Sequence, residues 1–147
     1  MAKDGLTGTD EDPAPANLKV VRLHYAAFES GDIDRILEGL DRTVAIAVRD
    51  ERGADTGELI VGLEGARTFF EGIHAAVANL SVDVKVLRAD GNRVLAQITL
   101  GGTFRESGRT GAIPAVHLFT MHDGLITEIR THRPDWRRYG RAEEPGA

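Results

Sequence analysis

From Asn17 to Phe28 the apolar residues Leu18, Val21, Leu23, Tyr25 and Phe28 are interleaved with polar ones at spacings that predict an amphipathic helix. "SGD" at 30–32 closes it with Gly31 near the C-cap, and Asp32 is placed to cap a short second helix, "IDRILEGL". "TVAIAVRD" alternates as a strand does, and "ERGADTGEL" reads as a turn-rich connection. Residues 63–80 carry Ala66, Phe69, Phe70, Ile73 and Val77 at helical spacing, which predicts a third helix. The remainder is strand-like. "SVDVKVLRAD" and "NRVLAQITLGGTF" join through the tight turn "ADGN"; "RESGRTGA" reads as a flexible connection and a candidate lid; "IPAVHLFTMHDGLITEIRTH" reads as a hairpin over "HDG". Helices gathered early and antiparallel strands gathered late predict an α+β layer packing.

Alternation along the last hairpin puts His117, Phe119 and Met121 on one face and Val116, Leu118 and Thr120 on the other. If the first face is the buried one, antiparallel pairing carries Ile129, Thr131 and Arg133 inward from the partner strand, and Gln97 and Thr99 from the strand before. With His24 and Phe28 from the first helix, this describes an apolar wall set with a few hydrogen-bonding groups, the usual make-up of a small-molecule site. His24 and His117 each have two readings, as ligand-facing groups or as core histidines satisfied by the backbone.

A chain of 147 residues, 41% hydrophobic, matches one domain with a single core. Residues 1–16, polar and rich in Pro and Gly, read as a disordered leader, and 141–147 as a flexible tail. The net charge of −5, with no basic cluster, argues against a nucleic-acid partner. No cysteine is present, which removes disulfides, thiolate metal sites and cysteine nucleophiles. No apolar run suits a membrane span or a signal peptide, so the expected location is cytoplasmic. The histidines have no metal-ligand spacing, no phosphate-binding loop appears, and neither a metal nor a cofactor is expected.

"HYAAFESGDIDRILEGL", "GLEGARTFFEGI" and "HDGLITEIRTHRPDW", in this order, resemble the nuclear transport factor 2-like superfamily, and within it the SnoaL-like polyketide cyclase and ketosteroid isomerase-like branch, over residues 17–140. The resemblance implies a strongly curved antiparallel sheet wrapped against three helices, a cone with a deep pocket, often paired as a homodimer. Ketosteroid isomerases hold an enolate oxygen between a tyrosine and a protonated aspartic acid. Laying the "SGD" and "HDG" turns on the family's places His24 at the tyrosine's position and His117 at the aspartic acid's. The family's general base falls on Val48 by direct spacing, and Asp50 reaches that position only with a two-residue shift. The acidic residue that serves SnoaL-like cyclases near the end of the last strand corresponds to Asp135.

These positions imply His24, His117, Asp50 and Asp135 as catalytic candidates, with Tyr25, Phe28, Gln97, Thr99, Phe119, Met121, Ile129, Thr131 and Arg133 contacting the substrate. The expected activity is a cofactor-independent cyclase acting on a hydrophobic, oxygenated, polyketide-like intermediate of bacterial natural-product biosynthesis. The alternative is a non-catalytic small-molecule carrier on the same fold, and a ketosteroid-type isomerase ranks below both because its residue set is not intact.

Overall fold

The computed structural model describes residues 12–49 and 59–132. Its elements, in chain order, are α1 (Ala14–Ser30), α2 (Ile33–Glu38), β1 (Leu40–Arg49), β2 (Leu59–Val61), α3 (Gly62–Ala76), β3 (Val77–Asp90), β4 (Arg93–Phe104), β5 (Thr110–His122) and β6 (Leu125–His132). The six strands form one curved, unclosed sheet in the order β2-β1-β6-β5-β4-β3. Four of its pairings are antiparallel; β1 and β6 run parallel. That is possible because the chain travels through β2, α3 and three further strands between them, far longer than a hairpin allows.

Helix α1 starts three residues earlier than its apolar pattern suggested. Pro13 caps it and Pro15 lies in the first turn, where a missing N–H costs nothing because that donor would have no intrahelical partner. Asp12 Oδ1 accepts from Ala14 N at 3.0 Å. At the other end Gly31 takes a left-handed conformation, φ 73°, and its N–H meets the last carbonyls of the helix. Asp32 then caps α2 by accepting from Arg35 N. The buried stripe of α1 is Asn17, Val21, His24, Tyr25 and Phe28, spaced three and four apart, whereas Leu23 lies off that stripe and is exposed.

Side-chain bonds from both ends of α1 hold it across the sheet. Asn17 Nδ2 donates to Gly91 O in the β3–β4 turn, and Glu29 Oε2 accepts from Val82 N at 2.6 Å on β3. The second contact sits beside an irregularity in the β3–β4 ladder between Ala78 and Ser81, where Asn79 has φ 58°.

The third helix is shorter than the expected 63–80. Val77 is extended and opens β3, with Val77 and Ala78 paired to Phe104 and Thr103. Strand pairing wins over helical continuation here because Gly102 opens the space: a Cβ at Gly102 would collide with the Val77 side chain and come within 3.1 Å of Ala78 O. The connection 105–112 is also tighter than expected. Phe104 and Arg109 bond across it, Gly108 N donates to Phe104 O at 2.7 Å, and β5 begins at Thr110, so this segment is a turn between paired strands and not a lid. The β5–β6 turn carries Asp123 and Gly124, both at positive φ, as a two-residue hairpin requires.

Register fixes which residues face the helices. Ala96 pairs with His117 and Val94 with Phe119; His117 in turn pairs with Thr131 and Phe119 with Ile129. Val94, Ala96, Ile98, Phe119, Met121, Ile126 and Ile129 are thus inward and buried, joined by Val44, Ile46 and Val48 of β1. Phe119 has no exposed surface. Phe119→Ala is expected to lower the unfolding free energy by about 3–5 kcal/mol, while Leu23→Ala changes it by less than about 0.5 kcal/mol; urea midpoints at unchanged slope check both.

Candidate functional site

A cavity opens between the helices and the inner face of the sheet. Helix α1 presents His24, Tyr25 and Phe28 to it, and the sheet contributes His117, Ile129 and Thr131. Phe69, Phe70 and Ile73 of α3, with Ile46 and Leu100, complete the wall. The cavity volume is about 50 Å³, and the empty space around it, open solvent at the mouth included, is about 520 Å³.

The polar centre is a pair. Tyr25 Oη lies 2.7 Å from His117 Nδ1, and the two rings stack at 26° with centroids 5.8 Å apart. The bond has two forms: the phenol donates to a bare Nδ1, or Nδ1–H donates to the phenol oxygen and leaves its O–H for another acceptor. Phe119 meets both rings edge-on, at 5.8 Å from Tyr25 and 5.9 Å from His117, and so fixes their positions from below. Burial raises the Tyr25 pKa, which keeps the phenol protonated and makes it a donor, not a base.

His24 stands beside this pair without joining it. Its ring lies 5.6 Å from Tyr25, 5.8 Å from Phe70 and 5.6 Å from Phe119. The side chain is only 9% exposed, and Nδ1 is sealed from solvent with no hydrogen-bond partner. An unpaired buried polar atom costs about 1–3 kcal/mol. Desolvation pulls the His24 pKa down to about 4, so the ring is neutral at physiological pH.

Six of the expected contact positions therefore come together: His24, Tyr25, Phe28, His117, Ile129 and Thr131. The hydrogen-bonding partner of His117 on the buried stripe of α1 is Tyr25, the neighbour of His24 in the chain. Phe119 and Met121 do face inward, but both are core residues packed outside the cavity lining. Gln97 and Thr99 are corrections. Gln97 pairs with Val116 and Thr99 with Pro114, which puts both on the outer face and leaves Ala96, Ile98 and Leu100 on the inner one. A one-residue difference in register is enough to exchange the two sets. Asp50, Arg133 and Asp135 lie outside the described residues. The α3 residues that line the cavity were visible as a helical apolar stripe, but nothing in that stripe separates a cavity wall from ordinary core. Among the described residues no three His, Asp or Glu side chains form a metal-ligand group, and no helix is long and apolar enough to cross a membrane.

The chain matches the SnoaL-like domain over residues 21–129 and belongs to that family. No curated protein matches it. Among solved structures it resembles a candidate SnoaL-like polyketide cyclase from Jannaschia sp. CCS1, with 23% identity and a TM-score of 0.76 over 94% of this chain and 99% of that one. A candidate polyketide cyclase from Xanthomonas campestris pv. campestris gives 22% identity and a TM-score of 0.74, covering 85% and 95% of the two chains. TerC, crystallised with polyporic acid, gives 25% identity and a TM-score of 0.68, covering 79% of this chain and 89% of its own. The architecture is the nuclear transport factor 2-like cone, a fold that carries many unrelated activities.

The buried neutral histidine sets a pH dependence. The unfolded chain takes up a proton at His24 near pH 6.5, and the folded chain does so only near 4. Stability from this group is complete above pH 6.5 and is lost as pH falls from 6.5 to about 4, amounting to roughly 3 kcal/mol. Urea unfolding of wild type and His24→Phe at pH 7 and pH 4 is expected to show the larger acid loss in wild type.

Proposed function

We propose that this protein is a cofactor-independent enzyme that closes a ring on a hydrophobic, oxygen-bearing molecule of polyketide type, with Tyr25 and His117 polarising a carbonyl and moving a proton. The observation that carries this reading is the 2.7 Å hydrogen bond between Tyr25 and His117 at the wall of an otherwise largely apolar cavity. A phenol held protonated by burial hydrogen-bonds a developing enolate oxygen, and the imidazole behind it moves charge toward or away from that phenol. The aromatic and aliphatic walls restrict a flexible chain to reactive shapes, which contributes roughly 7–11 kcal/mol to a ring closure when the geometry is near attack. Ring closure of this kind places modest demands on acid and base groups. The polyketide cyclase descriptions of two structural neighbours and the polyporic acid held by a third agree with an oxygenated hydrophobic substrate.

A carrier that binds such a molecule without turning it over is the second reading. It is favoured by one observation: no carboxylate lines the cavity among the described residues, so the family's general base has no counterpart there.

The two readings separate with a poly-β-keto N-acetylcysteamine thioester as substrate, ring-closed product followed by mass spectrometry, and binding measured by calorimetry. Tyr25→Phe and His117→Gln are expected to lower turnover about 10²–10⁴-fold while changing affinity only a few-fold. No turnover by wild type despite binding supports the carrier, and equal loss of turnover and affinity in the variants assigns Tyr25 and His117 to binding and not to chemistry.

A further inference from the structure

His24 lines the cavity, is nine-tenths buried, and has a sealed Nδ1 that no donor or acceptor reaches. Of the two ring nitrogens, that leaves Nε2 to serve a ligand. A neutral imidazole holds one proton. A buried nitrogen without a partner is better tolerated as a bare lone pair than as an N–H with nowhere to donate, so the proton belongs on Nε2.

We infer that His24 is a specificity-determining residue, held as the Nε2–H tautomer, which donates a hydrogen bond to a carbonyl oxygen of an uncharged ligand. The inference rests on the cavity being the ligand site proposed above. His24 and His117 both touch Phe119, at 5.6 and 5.9 Å, and both lie against Tyr25, so the two polar anchors stand on the same aromatic pair. A fitting ligand carries two oxygen functions: a hydroxyl or enol at Tyr25 and His117, and a carbonyl at His24. Among the described lining residues there is no Lys, Arg, Asp or Glu. A carboxylate entering beside His24 loses its water and meets no opposite charge among the described lining residues, which selects against it.

Three probes share a ring and a hydroxyl and differ in one group: 3′-hydroxyacetophenone (acetyl), 3-ethylphenol (ethyl) and 3-hydroxybenzoate (carboxylate). At pH 7 calorimetry is expected to show the acetyl compound binding wild type about tenfold more tightly than either of the others. In His24→Phe the acetyl and ethyl compounds bind alike. An acetyl preference that survives in His24→Phe, or tightest binding by the carboxylate, overturns the inference while leaving the cavity as a ligand site. Binding by none of the three overturns both readings. Nitrogen-15 NMR of the wild-type imidazoles decides the tautomer without any variant: an Nε2–H signal for His24 that shifts with 3′-hydroxyacetophenone is the expected result, and an Nδ1–H tautomer contradicts it.

Discussion

Phe119 is where two periodicities of the chain converge. The three- and four-residue spacing of α1 brings His24 and Tyr25 down onto the sheet, and the two-residue alternation of β5 brings His117 and Phe119 up to meet them. Phe119 touches all three rings and has no exposed surface, so the position of each polar side chain is set by contact with one aromatic centre. The bonds from Asn17 to the β3–β4 turn and from Glu29 to Val82 hold α1 at the height and angle this contact requires.

The same packing determines what the polar groups can do. Removing water from around Tyr25 and His24 disfavours their charged forms, so the cavity holds a protonated phenol and a neutral imidazole. Donors fixed in an apolar surrounding act on a developing oxyanion without competition from solvent, and they need no reorganisation when the charge appears. The unsatisfied Nδ1 of His24 costs stability.

Much of the cavity wall is legible in the sequence. Alternation along β5 puts His117 on the face of Phe119, and the register agrees. Tyr25 and Phe28 followed from the stripe of α1. Three features were not legible. Carrying parity from β5 to β4 puts Gln97 and Thr99 inward, but the sequence does not show how much of the connection joins the ladder, and the register reverses them. Val77 fits the helical stripe of α3 equally well, and it became strand because Gly102 makes room opposite it. The hydrogen bond between Tyr25 and His117 depends on how helix and sheet meet.

The sequence by itself determined what depends on neighbours in the chain. It specified the helical stripe of α1, the left-handed stop at Gly31, the cap at Asp32, the alternation of β5 and the turn at Asp123 and Gly124. Each rests on short-range backbone sterics or on a fixed period. Tertiary structure decided the strand order, the parallel pairing of β1 with β6, and which alternate set of β4 faces the cavity. Those outcomes depend on register between segments distant in sequence. A period of two defines a pair of faces on each strand, and only packing against the helices chooses which face is inside.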